Sequence, residues 1–262
     1  MSLRHPGKHD ILIAVIFLVV AAALVYSGVA LWNFRRSYKP DVDVSAYPVR
    51  GIDISAHNGE IDFAKVKESG VDFVFIKASE GTDFRDRNFM ANIDSASAYG
   101  LPAGAYHFFR YDKDGMAQAV NLFNALDGRV PELGVVIDVE DAGNPHDGIP
   151  DVVIANLSEM IDYLNLQGLP VTLYTNRDGY NQFLRRAFAG HRLWICSFND
   201  NPIDAEWAFW QYKHNGRVDG IKGDVDLNVF HGTRQTWENL IRNFTTPEAE
   251  VAEPDSIIIE SN

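Results

Sequence analysis

The sequence predicts an α/β protein built as an irregular barrel of about eight strands, with few helices in its last part and an N-terminal transmembrane helix before it. Three observations lead to this prediction. Short runs rich in β-branched and aromatic residues recur along the chain, helical stretches separate the earlier runs, and an uncharged segment lies near the start. With 262 residues and 46% hydrophobic content, the chain is long enough to bury one large core.

The uncharged segment covers residues 11–32 and is long enough to cross a bilayer as a helix that rises about 1.5 Å per residue. The apolar part of a signal peptide is shorter, about 7 to 15 residues, which favours an uncleaved anchor. Small residues at Gly28–Ala30 keep a cleaved signal peptide as the alternative. We expect a membrane-anchored protein whose main domain lies outside the cytoplasm, in the periplasm or at the cell surface, or a secreted one if the segment is cleaved.

Composition shifts divide the chain further. Prolines and few apolar positions mark a tether after the uncharged segment, and an acidic, proline-containing end predicts a disordered tail. The five predicted segments are a basic flank (1–10), the transmembrane anchor or signal peptide (11–32), the tether (33–48), the barrel domain (49–244) and the tail (245–262).

Within the barrel domain, strand and helix patterns alternate, which is typical of a parallel sheet. The last strands leave no room for helices between them, so we expect an irregular barrel. The predicted strands are 50–55, 71–78, 102–109, 133–140, 170–176, 192–198, 208–212 and 225–230, and the predicted helices are 61–69, 85–99, 115–126, 150–166 and 177–187.

Charge and cysteine content exclude several classes of function. A net charge of -13 and a pI near 4.9 argue against a nucleic-acid-binding protein, which normally has a basic face. The single cysteine, Cys196, rules out an intramolecular disulfide and a zinc site made of thiolates, and its apolar surroundings predict a core residue. We expect a monomer without metal or cofactor.

The stretch "GVVIDVED" places Asp138 and Glu140 two positions apart at the end of a predicted strand. Residues i and i+2 of a strand point to the same face, about 7 Å apart, so the two acids leave the sheet side by side. Active sites of such barrels lie at the carboxyl ends of the strands. Asp53 and Asp226, on the first and last strands, are predicted to join the pair at one mouth.

Paired carboxylates among aromatic side chains are typical of glycoside hydrolases, in which one protonated acid donates to the leaving oxygen and a second carboxylate stabilises or attacks the sugar carbon. The predicted catalytic residues are the four acids named above. The predicted substrate-binding residues lie near the ends of other strands: Tyr106, Phe108, Tyr174, Asn176, Trp210, Gln211 and Tyr212.

The motifs "GIDIS", "FVFIKASEGTDFRD", "GLPAGAYHFF", "GVVIDVE", "LYTN", "FWQY" and "VDLNVF" occur in this order between about residues 49 and 232. This region resembles the family 25 glycoside hydrolases, lysozymes of the N-acetylmuramidase type. The resemblance implies cleavage of the β-1,4 bond between N-acetylmuramic acid and N-acetylglucosamine in peptidoglycan. It also implies that Glu140 is the proton donor, that Asp138 is its partner, and that Asp53 and Asp226 support them.

Two other classes of function compete with this interpretation. A metal-dependent hydrolase would use His57, His107, Asp53 and Asp138 as ligands, although His107 is predicted to face away from its neighbour Tyr106. A non-catalytic module that binds the cell wall is the second, but such a module would be free to lose one of the four acids.

If the chain is a hydrolase, either a carboxylate or the acetamido oxygen of the substrate attacks, and both routes retain the anomeric configuration.

Overall fold

The computed structural model describes residues 9, 19–29, 42–145, 149–198 and 200–245, and the chain divides into two units, Met1–Asp41 and Val42–Asn262. In the first unit, residues 19–29 form a helix with exposed side chains. The rest of the predicted 11–32 segment, the predicted tether up to residue 41 and residues 246–262 of the predicted tail lie outside the described residues. Within the described part, no helix has both the length and the apolar character that a membrane span requires.

The second unit is built around one sheet, whose strands are short and largely apolar. In chain order they are β1 (Arg50–Ile54), β2 (Phe73–Glu80), β3 (Phe84–Arg85), β4 (Ala103–Phe108), β5 (Val135–Asp138), β6 (Val171–Asn176), β7 (Arg192–Cys196), β8 (Phe209–Gly216) and β9 (Val225–Phe230).

The sheet closes because β1 pairs with both β2 and β9, so that eight strands form a barrel. Neighbouring strands are parallel from β1 through β2, β4, β5, β6 and β7 to β8. The last strand, β9, runs antiparallel to both β8 and β1, and its register places Asp226 opposite Asp53 and Val229 opposite Arg50. The short β3 lies outside the barrel as a hairpin on β2.

Helices cover the outside of the barrel mainly in its first two thirds. They are α1 (Phe63–Glu68), α2 (Phe89–Ala98), α3 (Gly115–Leu126), α4 (Pro150–Leu166), the helical segment α5 (177–187) and α6 (Arg234–Thr245). The middle of α5, Tyr180–Leu184, is a π-helical turn. No helix lies between β7 and β8 or between β8 and β9 among the residues described there, as the closely spaced strand patterns predict.

Two apolar cores lie on the two faces of the sheet, as the two-residue period of strands requires. The larger core packs alternate strand residues, such as Ile137 of β5, against the helices. The smaller core fills the barrel with aromatic rings, including Phe75 and Trp194, whose centroids are 4.4 Å apart. Trp237 of α6 is buried against Phe73 in this inner core, so α6 covers the end of the barrel at which the parallel strands begin.

The contact between α3 and α4 depends on a glycine. A Cβ atom on Gly115 would lie 1.9 Å from the backbone oxygen of Asn156, a distance that only a shift of one helix could relieve. We expect the Gly115→Ala variant to lose about 1–3 kcal/mol of unfolding free energy, the usual cost of overpacking. Urea unfolding measures the loss. The control is Met116→Ala, since that side chain is 44% exposed on the same turn; equal stability of the two variants would contradict the prediction.

Candidate active site

The rim at which the parallel strands end collects the polar residues of the barrel. Asp53 is near the end of β1, and Asp138 is the last residue of β5. Asp226 reaches the same rim from the start of β9, because β9 runs in the opposite direction and pairs Asp226 with Asp53. Asp53 and Asp226, from the first and last strands of the barrel, therefore meet at the rim that also carries Asp138.

A cavity of about 310 Å³ opens at this rim. All four predicted acids line it, together with cationic, aromatic and amide side chains. The lining residues are Asp53, Lys77, Tyr106, Phe108, Asp138, Glu140, Tyr174, Trp194, Cys196, Phe198, Gln211, His214 and Asp226.

Asp53 is held by amide donors at the floor of the cavity. Gln211 Nε2 and Asn228 Nδ2 each donate to Asp53 Oδ2 at 2.8 Å. The two amides are oriented in turn, because Tyr174 donates its hydroxyl to Gln211 Oε1 and Trp194 donates its indole N–H to Asn228 Oδ1, both at 2.8 Å. Burial raises the pKa of Asp53, while these donors oppose that rise by favouring its charged form.

Asp226 is the protonated partner of Asp53. Burial, followed by the nearby charge of Asp53 and the hydrogen bond that Asp226 donates to it, raises the pKa of Asp226 to about 8. Asp53 already accepts hydrogen bonds from two amides, so the proton shared by these two acids resides on Asp226.

Asp138 and Glu140 form the second acidic pair. Asp138 is buried, and this burial together with the charge of Glu140 raises its pKa well above the usual range. Burial also raises the pKa of Glu140, and the charges of Asp53 and Asp141 add to the increase, whereas Lys77 lowers it. Because the pKa values of Asp138, Glu140 and Asp226 are all raised, the cavity holds protons at pH values where isolated carboxylates are ionised.

Known proteins with similar sequences share the region that carries these acids. The family model "Glycosyl hydrolases family 25" matches residues 52–221, well over half of the chain and a range that includes Asp53, Asp138 and Glu140. The chain belongs to glycosyl hydrolase family 25. The resemblance seen in the sequence motifs is therefore confirmed.

Individual relatives of this family 25 chain agree with the match. An autolytic lysozyme of Clostridium acetobutylicum is 36% identical over 185 residues, which make up 70% of this chain and 56% of that protein, so the chain spans little more than half of its length. A family 25 glycosyl hydrolase structure from Bacillus anthracis superposes with a TM-score of 0.71 at 30% identity, covering 78% of this chain and 97% of that one. For the bacterial lysozyme from Streptomyces coelicolor the TM-score is 0.65 at 30% identity, with coverages of 75% and 98%.

Three of the predicted substrate-binding residues lie outside the cavity lining of this family 25 chain. Asn176 caps α5, since its side chain accepts a hydrogen bond from the Gly179 N–H at 2.9 Å. Trp210 is buried on the outer face of β8 and donates to the Ser197 carbonyl at 2.8 Å. Gln211 points into the barrel, so strand alternation places Trp210 and Tyr212 on the other face. Tyr106, Phe108, Tyr174 and Gln211 do line the cavity, as predicted.

Several lining residues were not predicted. Trp194 is buried, and it also forms part of the cavity wall. Cys196, predicted as core, is half-buried at the wall, and burial raises the pKa of its thiol to about 12. Phe198 and His214 add a ring pair, with centroids 4.7 Å apart, from the loop after β7 and the far part of β8. Register shifts in β8 after Gln211 hide His214 from a simple alternation pattern.

The histidines of the metal-dependent alternative are engaged elsewhere. His107 is fully buried on the outer side of β4, where its ring contacts Ser79 at 2.8 Å and Gln118 at 3.3 Å. Burial lowers the pKa of His107 to about 4, so the ring is neutral. His57 contacts the Ser55 hydroxyl at 3.1 Å. In the ranges that the structure describes, no three His, Cys, Asp or Glu side chains form a group suited to a metal ion.

A larger cavity of about 790 Å³ lies at the opposite rim, between α5 and the beginnings of β6, β7 and β8. Its walls combine apolar side chains with His191, Arg192 and Glu206, and Glu206 is the only carboxylate among its lining residues. Of these two cavities, only the one of about 310 Å³ has the two carboxylates that acid/base cleavage of a glycosidic bond requires.

The raised pKa of Asp226 predicts how stability depends on pH. The carboxyl group has a pKa of about 8 in the folded chain, against an ordinary value of 3.8, so the folded state binds more protons between these pH values. We therefore expect the free energy of unfolding to fall as pH rises from about 4 to about 8. Urea unfolding across this pH range measures the slope. The Asp226→Asn variant, which cannot titrate at this position, should show a smaller slope; an unchanged slope would contradict the assignment.

Proposed function

We propose that the chain is a peptidoglycan hydrolase that cleaves the β-1,4 bond between N-acetylmuramic acid and N-acetylglucosamine. The observation that carries this proposal is the cavity in which Asp53, Asp138, Glu140 and Asp226 meet at the carboxyl rim of a family 25 barrel. Relatives named as an autolytic lysozyme and a bacterial lysozyme support the choice of substrate.

Glu140 acts as the general acid in this proposal. It follows the last residue of β5 by two positions and is less buried than Asp138, so its carboxyl group can reach a bound substrate. Its raised pKa favours the protonated form, and that proton goes to the glycosidic oxygen as the bond breaks.

Asp138 acts in its ionised form, with the proton of the Asp138–Glu140 pair on Glu140, and stabilises the positive charge that develops on the sugar. Its Oδ1 atom is buried and has no hydrogen-bond partner among the described residues. The acetamido N–H of the substrate is a suitable donor, which favours attack by the acetamido oxygen with Asp138 holding the group. Direct attack by a carboxylate is the other route. Both retain the anomeric configuration.

Asp53 and Asp226 support Glu140 and Asp138. The amides of Gln211 and Asn228 keep Asp53 charged, while Asp226 retains a proton. The negative charge of Asp53 raises the pKa of Glu140 and so helps to keep the general acid protonated before cleavage.

Mass analysis of fragments released from purified peptidoglycan tests the proposed bond. N-acetylmuramic acid at the new reducing ends is the expected result. N-acetylglucosamine at those ends would show cleavage of the other glycosidic bond, and no release of fragments would favour the non-catalytic binding module. Activity that disappears with a chelator would favour the metal-dependent alternative.

We also propose that residues 11–32 hold the hydrolase at a membrane with its barrel outside the cytoplasm. The support is the length of this uncharged segment. Cell fractionation followed by alkaline carbonate extraction tests the anchor, and N-terminal sequencing of the mature protein detects cleavage. Recovery in the medium with a new N-terminus after residue 30 would replace the anchor with a signal peptide.

A further inference from the structure

The hairpin of β2 and β3 carries an exposed phenylalanine beside the catalytic cavity. Phe84 is 50% exposed, although it belongs to a strand paired with Glu80 of β2. Single exposed apolar side chains are common on protein surfaces and need no explanation by themselves. The exposure of Phe84 does need an explanation, because its backbone is firmly fixed and its ring lies near a residue of the cavity wall.

A buried amide fixes the hairpin. Asn121 of α3 is 4% exposed, and its Nδ2 group donates to the carbonyl oxygens of Gly81 at 3.0 Å and Phe84 at 3.1 Å. Gly81 adopts a positive φ of 53°, which forms the tight turn, and its N–H donates to the Phe108 carbonyl at 3.2 Å. The position of Phe84 is therefore set by the scaffold and not by a loose loop.

The ring of Phe84 continues a wall of the catalytic cavity. Lys77 and Phe108 both line that cavity, and the Lys77 Nζ atom lies 5.4 Å from the centroids of both the Phe84 and the Phe108 rings. An ammonium group at this distance is attracted to both aromatic rings and so links Phe84 to Phe108. The wall thus extends from the cavity to the exposed ring.

The chemistry of this wall suits a further sugar unit. An N-acetylated pyranose has apolar C–H faces and an acetyl methyl group that can cover an exposed aromatic ring. Lys77 has three donor hydrogens, of which one is directed to Glu80 Oε2 at 2.8 Å, so others can serve sugar hydroxyl or amide oxygens.

We propose that Phe84, with Lys77 and Phe108, forms an additional sugar-binding subsite that continues the catalytic cavity along the glycan strand. This inference rests on the proposed function, because it takes the substrate to be a glycan. Phe84 contributes binding of a distant sugar unit and takes no part in bond cleavage.

The test compares Phe84→Ala with Phe84→Trp and with Tyr99→Ala. Tyr99 is a matched control, since it is 51% exposed and follows α2 at the end that leads into the start of β4, the rim opposite the cavity. On long glycan strands we expect Phe84→Ala to raise KM about tenfold, which corresponds to about 1.4 kcal/mol of binding free energy, with kcat within about twofold of native. Phe84→Trp, which keeps an aromatic surface, should have a KM near the native value.

A binding measurement separates this inference from the proposed function. Glu140→Gln and the double variant Glu140→Gln, Phe84→Ala are sedimented with purified insoluble peptidoglycan, where binding needs no cleavage. The double variant should bind about tenfold more weakly. Equal binding of the two, or equal KM values for Phe84→Ala and Tyr99→Ala, would overturn the subsite whether or not the native chain cleaves the polymer.

Discussion

The Glu140→Gln variant is expected to lose about 10²- to 10⁴-fold in kcat on peptidoglycan, the usual contribution of a general acid. Glutamine matches the shape of the glutamate side chain but has no proton to give to the leaving oxygen. The polymer should still bind, since the cavity walls are unchanged. Release of soluble fragments from purified cell walls measures the loss.

The control for this variant is Glu206→Gln. Glu206 is exposed and lines the cavity at the opposite rim, so the same change of charge there should leave turnover unaltered. Urea unfolding of both variants checks that the fold is intact. Native turnover by a folded Glu140→Gln variant would remove Glu140 from the mechanism.

The Asp138→Asn variant is expected to lose about 10²- to 10³-fold in kcat, comparable with removal of one group that stabilises developing charge. An asparagine carbonyl can still accept a hydrogen bond from the acetamido N–H, but it cannot balance the positive charge on the sugar ring. The loss should fall on kcat more than on KM, because that charge exists only in the transition state.

Steady-state kinetics of Asp138→Asn beside Asp204→Asn, an exposed acid outside the catalytic cavity, measures this effect. A rise in KM with native kcat would instead assign Asp138 to uniform substrate binding.

Much of the fold could be predicted from local patterns. The bounds of α3, α4 and β9 agree with prediction, because capping residues, a proline at the start of α4 and strand alternation mark them clearly. The helix α6 was missed. Its apolar residues Trp237, Leu240 and Ile241 follow helical spacing, and this spacing is the signal that could have predicted the helix.

The acids of the site were easier to predict than its walls. A carboxylate at the end of an apolar strand is conspicuous, and closure of the sheet brings four of them together. The sequence motifs did not reveal that β9 is reversed, a property that depends on pairing with both β8 and β1. Nor did they reveal which of Trp210, Gln211 and Tyr212 points inward, because the eight-residue strand β8 contains register shifts. The strand β3 has only two residues, which is too short to produce a periodic pattern.

The antiparallel pairing of Arg50 with Val229 determines on which side of the barrel the chain enters β1 and leaves β9. Both chain ends of the barrel emerge on the side away from the acids, since β1 begins there and β9 ends there. A linker that joins the barrel directly ahead of β1 would therefore meet it on the side opposite the entrance to the acids. The same geometry would suit attachment of the barrel to a solid support, because the acids would face away from the support.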